Sequence, residues 1–220
     1  MAQIPDKTVK YPNSCLLQFA KAPLLGSVKT RLEASLDKQQ CLQLHESLVK
    51  HQFLTHQASA VSHFELWCSA EHDFFHRLAK GSGVQVKIQR GITLGDRMAN
   101  AFVDRLKQFS RVVIIGSDCP ALQEEYVAQA LDALVDDVPA VFGPANDGGY
   151  VLVGLNRFNS TLFEGVPWGT ENVMDVTRSR LKNLGWQWQE LSPLSDIDRP
   201  EDLAELLNFT KFHKFHSLFL

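Results

Sequence analysis

Short runs of branched and aromatic residues recur along this chain, separated by longer stretches in which apolar residues return every three or four positions. The short runs fall at residues 15–20, 63–68, 84–89, 112–115, 140–142, 151–153 and 187–191, and each reads as a strand. Helical spacing is predicted over residues 38–60, 73–80, 96–106, 123–135 and 171–184. Strands alternating with helices predict a single α/β domain of three layers, with a mostly parallel sheet covered on both faces. The expected boundaries are a loose leader over residues 1–13, the domain over 14–208 and an aromatic, weakly basic tail over 209–220. No internal repeat, low-complexity stretch or linker interrupts this pattern.

The run Val112, Val113, Ile114, Ile115 is the most apolar and predicts a strand buried on both faces. Gly116, Ser117, Asp118, Cys119 and Pro120 follow it directly. Ligands of open α/β sheets sit outside the carboxyl ends of the strands. An acid at that edge either holds a divalent cation or caps a turn or helix. Pro120 would end the strand and lead into a helix whose early acids are Glu124 and Glu125.

The first strand runs into a loop with Pro23 and Gly26 as breakers and Lys21, Lys29 and Arg31 as cations. Backbone N–H groups in such a βα loop, and the helix start behind it, favour anions, so a phosphate-rich ligand fits; a solvated basic loop has the same composition. Neither a Walker A pattern nor G-x-G-x-x-G is present.

Gly91 and Gly95 frame a turn before a helix that Asp96 can cap, and Arg97 falls in its first turn. A cation there opposes the helix dipole unless an anion or acid faces it. Asp147, Gly148, Gly149 and Tyr150 form a turn by composition, consistent with a hairpin. The glycines would also let a ligand approach the backbone closely, with Asp147 beside it. Trp168, with Thr170 as a helix cap, packs under a loop or stacks on a substrate. Pro200 suits a helix start, so Asp196 and Asp198 either cap that helix or give a second carboxylate to a cation at Asp118.

Composition narrows the classes. At 220 residues with 45% apolar and 21% charged content, the chain is ordinary for a globular protein. A net charge of -3 offers no basic surface to nucleic acid. Cys15, Cys41, Cys68 and Cys119 are scattered without a C-x-x-C pair, which suits a reducing cytoplasm. The N-terminal residues lack the apolar core of a signal peptide, and no apolar run reaches the ~18 residues of a membrane span. The tail packs on the domain, seals an oligomer contact or touches a membrane surface. His72, His76, His213 and His216 have helical spacing but no indicated acid or cysteine partner, and read as surface histidines.

Four stretches, FAKAPLLGSVKTRL, GSDCPAL, GPANDGGYVLVGL and DIDRPEDL, occur in an order that resembles the DUF2064 family, over about residues 15–208. Its members are called rSAM/selenodomain-associated transferase 1 or arsenosugar-biosynthesis glycosyltransferase-like proteins. The resemblance implies the GT-A (nucleotide-diphospho-sugar transferase) fold. It implies nucleotide phosphates held by the first loop, with Ala20, Lys21, Gly26, Lys29, Thr30 and Arg31 as candidate contacts and Arg97 as a further one. Asp118 matches the metal-binding acid and Asp198 the later metal ligand, with Asp196 as the other candidate; the cation would be Mg²⁺ or Mn²⁺. Lys29, Arg31, Asp118 and Asp147 are the candidate catalytic residues; Asp147, Gly148, Gly149 and Trp168 are the candidate substrate contacts. The family pattern continues D-I-D-T-P, whereas Arg199 stands here at the fourth position.

The implied activity is metal-dependent transfer from a nucleotide-activated donor, either glycosyl transfer from a nucleotide-sugar or nucleotidyl transfer from an NTP with release of pyrophosphate. A non-catalytic nucleotide-binding module is the alternative of another class. A phosphohydrolase would want a second acid two residues after Asp118, where Pro120 stands.

Overall fold

Strand β4 (Arg111–Ile115) lies at the middle of a seven-stranded sheet. The computed structural model describes residues 9–212 and 215. The other strands are β1 (Tyr11–Ala20), β2 (Val61–Cys68), β3 (Gln85–Ile88), β5 (Ala140–Pro144), β6 (Tyr150–Leu155) and β7 (Trp188–Glu190), in the order β3-β2-β1-β4-β6-β5-β7. All neighbours are parallel except β6, which runs antiparallel to both β4 and β5. The expected α/β class and mostly parallel sheet are therefore observed, with β5 and β6 forming the hairpin that the glycines of the 147–149 turn predict.

Among the described residues five α-helices complete the layers: α1 (Lys38–His56), α2 (Asp73–Ala79), α3 (Leu94–Arg105), α4 (Glu124–Ala133) and α5 (Val173–Asn183). One face packs Val49, Phe53, Phe75, Val127 and Leu131 of α1, α2 and α4 against Leu16, Val113 and Ile115. The other packs Met98, Phe102, Met174 and Leu181 of α3 and α5 against Leu17, Val112 and Ile114. The period-two alternation of β1 and β4 sends successive side chains into these two cores.

The strand order reverses between β1 and β4, since β1 is flanked by β2 on one side and β4 on the other. The loops leaving their carboxyl ends diverge there and open a crevice. Buried Gln18 donates from Nε2 to Ser117 Oγ at 3.0 Å, and Ser117 Oγ donates to the Phe19 carbonyl at 2.8 Å, which locks the two strand ends together.

Several local expectations are corrected. Strand β1 starts at Tyr11 rather than residue 15, inside the expected leader, because Tyr11 is buried in the core. Thr93, not Asp96, is the N-cap of α3; the two form a capping box, with Asp96 Oδ2 accepting from Thr93 N at 2.9 Å. Asn172 occupies the N-cap of α5, and Thr170 instead donates its hydroxyl to the Pro167 carbonyl at 2.8 Å. The segment after Pro200 is a 3-10 helix, Pro200–Asn208, capped through Arg199 and Asp202 rather than through Asp196 or Asp198. Phe212 and Phe215 are buried against Leu44, Leu48 and Ile197, so the described part of the tail packs on the domain. His72 caps α2 and His76 pairs with Glu71 at 2.9 Å, whereas His213 and His216 lie outside the described residues. All four cysteines are free and buried. Among the described residues no helix is long and apolar enough to cross a membrane.

Candidate functional site

Lys29 has a left-handed backbone (φ 53°), a conformation that residues other than glycine adopt at a cost. The tertiary structure holds it there. Its side chain is 2% exposed, with Nζ 2.8 Å from Asp118 Oδ1 and 2.5 Å from the Ile197 carbonyl. Three segments meet on this ammonium: the loop after β1, the loop after β4 and the stretch before Pro200. The last two are also stitched by the Ile197 N–H donating to the Asp118 carbonyl at 2.9 Å.

Asp118 keeps 42% of its side chain exposed while its Oδ1 is buried, so the rest of the carboxyl faces the crevice. Burial would push this carboxyl up. The Lys29 ammonium, assisted by His45, overrides that and holds it below the usual range, so Asp118 is ionised at neutral pH.

Asp196 behaves oppositely. Burial, reinforced by the charges of Asp147 and Asp118, pushes its carboxyl up to about 6. Three acids thus converge on one region, where the Lys29 ammonium pairs directly with Asp118 and opposes the shift of Asp196 only in part. Asp147 and Asp196 belong to a larger acidic trough of about 440 Å³ whose walls also include Asp198, Glu201 and Asp202, with Arg199 as a lining cation. Among the described residues no three His, Cys, Asp or Glu side chains are placed to cage a metal by themselves. The donor set nonetheless suits Mg²⁺ or Mn²⁺, hard cations commonly held by one or two carboxylates together with substrate phosphates.

The remaining sequence-derived residues divide by location. Arg31 is half-exposed; its Nη1 donates to Asp198 Oδ2 at 2.6 Å and its Nη2 to the Gly169 carbonyl at 3.4 Å. Asp198 is thus engaged by a cation, and Asp196 is the residue left facing the acids. Lys21 is exposed and folds back onto the Ser27 carbonyl at 2.5 Å. Gly26 (φ 71°) turns this loop, Ala20 ends β1 and Thr30 is exposed at the start of a 3-10 helix. Gly148 (φ 91°) passes so close to the Glu171 backbone that a Cβ would collide with it. Gly149 N donates to Asp147 Oδ1 at 3.0 Å, and Asp147 lies on the rim shared by the trough and a neighbouring cavity. Trp168 is half-buried against Gly95, so it packs under a loop, and it also lines that cavity. Arg97 is outside both depressions; its Nε donates to the Gly91 carbonyl at 3.1 Å, so the local turn, rather than an acid, accounts for its position.

A polar face of α1 escaped the sequence reading. Gln52 Nε2 donates to the Cys119 carbonyl at 2.5 Å, and the Nε2 atoms of His51 and His56 contact the Pro120 and Leu122 carbonyls at 3.1 and 3.3 Å. His45 Nε2 contacts the Lys21 carbonyl at 2.9 Å. These buried side chains clamp the loops that carry Asp118 and Lys29. Their signal in the sequence is the presence of His45, Gln52 and His56 on one stripe of an otherwise apolar helix face.

A switch-point crevice bearing an ionised acid, a buried lysine and further acids on a GT-A scaffold places the chain among proteins of the nucleotide-diphospho-sugar transferase fold. Residues 53–170 match the family described as "Uncharacterized protein conserved in bacteria (DUF2064)", and the chain belongs to it. A structure from Desulfovibrio desulfuricans G20, provisionally assigned as a nucleotide-diphospho-sugar transferase, is similar at 25% identity and TM-score 0.81, covering 94% of this chain and 96% of that one. The fold is shared at 13% identity and TM-score 0.56 with CMP:2-keto-3-deoxy-manno-octonic acid synthetase complexed with CTP, over 88% of this chain and 96% of that one. It is also shared with glucosyl-3-phosphoglycerate synthase from Mycobacterium tuberculosis, complexed with Mn²⁺, UDP and glucosyl-3-phosphoglycerate, at 14% identity and TM-score 0.50, over 93% of this chain and 79% of that one. No curated protein matches the chain.

Proposed function

We propose that this chain is a metal-dependent transferase that moves a glycosyl group from a nucleotide-sugar to a small acceptor. The observation that carries the reading is the position of ionised Asp118 at the switch point, pinned by Lys29 and facing Asp147 and Asp196. Asp118 and Asp196 would hold Mg²⁺ or Mn²⁺ together with the donor phosphates, and the cation would supply charge neutralisation to the departing nucleotide. Arg31 and Lys21 stand on the loop where those phosphates would lie, and both cations are exposed. Lys29 acts as a strut for Asp118 rather than as a free phosphate ligand, because both of its contacts are internal.

In the transfer, the acceptor oxygen bonds to the anomeric carbon as the bond to the phosphate oxygen breaks. The nucleoside diphosphate leaves with the electron pair, and the acceptor proton passes to a carboxylate. In this reading Asp147 receives it, supported by its exposure on the rim between trough and cavity. Positioning and charge stabilisation supply most of the remaining acceleration.

Exposed Arg31 and Lys21 together favour a second reading, nucleotidyl transfer from an NTP, since two cations on one loop suit a terminal phosphate. A thermal-shift panel of NTPs and nucleotide-sugars with Mn²⁺, Mg²⁺ or EDTA tests both. A metal-dependent shift that disappears in Asp118→Ala is expected, and the stabilising donor then names the product to assay, nucleoside diphosphate or pyrophosphate. Equal response of wild type and Asp118→Ala to every donor would sink the metal-dependent reading.

A further inference from the structure

Beside the acidic trough lies a cavity of about 230 Å³ with a different chemistry. Its walls include Phe19, Leu94, Met98, Ile114, Tyr150 and Trp168, and Asp147 and Asp196 stand where it meets the trough. The two aromatic rings meet edge to face, Tyr150 and Trp168 at 6.0 Å and 90°. Trp168 is held in place by Gly95 of α3, where a Cβ would reach 2.8 Å from the indole nitrogen. The Tyr150 hydroxyl is buried, and among the described residues it has no hydrogen-bond partner. Burial also keeps this phenol protonated throughout the physiological range, against a small opposing influence of Arg180.

We propose, building on the transferase reading, that this cavity is the acceptor subsite, and that the acceptor presents a compact, largely apolar ring. A sugar ring is a poor occupant. It carries several hydroxyls, and these apolar walls would leave most of them unpaired. The cavity is smaller than the roughly 300–1,000 Å³ that encloses a drug-sized ligand, so it takes one ring rather than a whole donor. Leu94, at the start of α3, carries the apolar character to the surface at 45% exposed. A ring seated here places the reacting end of the acceptor toward Asp147 and Asp196, on the side where the donor lies in the transferase reading.

Saturation-transfer NMR on the full chain, without nucleotide or metal, tests the assignment with p-cresol, toluene and methyl glucoside as probes. Saturable binding of p-cresol and toluene is expected, with none for methyl glucoside. Leu94→Asp, at a half-exposed position that tolerates a charge, should weaken both. UDP and CTP should not displace p-cresol. Displacement by a nucleotide would make the cavity a nucleobase site, and competition by methyl glucoside would make it a sugar site; either overturns the proposal. So would the absence of saturable p-cresol or toluene binding. The probes need no donor, so these outcomes are independent of the metal and nucleotide test that decides the transferase reading.

Discussion

Lys29 Nζ stands 2.8 Å from Asp118 Oδ1, although the two residues come from loops at the ends of different strands. The lysine is buried, its backbone is left-handed and its other contact is the Ile197 carbonyl. One ammonium therefore sets the position and the charge of the acid that occupies the switch point.

This pair should show strong energetic coupling. Removing either partner leaves the other charge poorly compensated, and each of Lys29→Met and Asp118→Asn should lower stability by about 1–3 kcal/mol, moderated by the exposure of Asp118. The double variant should cost clearly less than the sum of the two. Urea denaturation of all four proteins measures the coupling, and additive losses would show that the contact carries little.

Arg31 and Asp198 form a half-exposed pair at 2.6 Å, and such pairs contribute less than about 1 kcal/mol. Arg31→Ala should therefore leave the melting temperature nearly unchanged. Affinity for nucleoside di- and triphosphates should fall by about tenfold or more, the worth of a charge-assisted hydrogen bond. Calorimetric titration at two salt concentrations separates this loss from a fold defect. A large drop in melting temperature with unchanged affinity would refute the assignment.

Two glycines of one turn should differ sharply. At Gly148 the backbone is left-handed and a Cβ would meet the Glu171 backbone, so Gly148→Ala should cost about 2–4 kcal/mol or displace Asp147. At Gly149 the nearest neighbour is Asp147 Oδ1 at 3.2 Å, and Gly149→Ala should cost less than about 1 kcal/mol. Chemical denaturation of the two variants side by side checks the contrast.

Acid should loosen the clamp of α1 on the Asp118 loop. Burial, only partly opposed by the Leu122 carbonyl, pushes the His56 imidazole down from 6.5 to about 4. Between those values the unfolded chain binds the proton that the folded chain refuses. The contribution is complete above pH 6.5 and is lost as pH falls toward 4, by on the order of 3 kcal/mol. His51 is shifted in the same direction, also by burial. Stability measured from pH 7 to 4 should decline with a smaller slope in His56→Gln than in wild type.

The α/β class, the central strand, the helices and the 147–149 turn were all legible in the sequence, because hydrophobic periodicity and glycine placement are local signals that burial reads directly. The candidate loops were legible too, since their acids and cations follow strand ends. What those side chains do there depended on partners distant along the chain. Lys29 read as one of three cations of a phosphate-binding or solvated loop, and its ammonium is buried between Asp118 and the Ile197 carbonyl. Asp198 matched the expected metal ligand, yet Arg31 engages it and Asp196 is left among the acids. The polar stripe of α1 marked the histidines but not their task, which arises only when the carbonyls at 120 and 122 reach them. Periodicity records which side of an element is buried. Ion pairing, buried hydrogen bonds and shifted ionisation depend on distances between segments, which the folded chain alone sets.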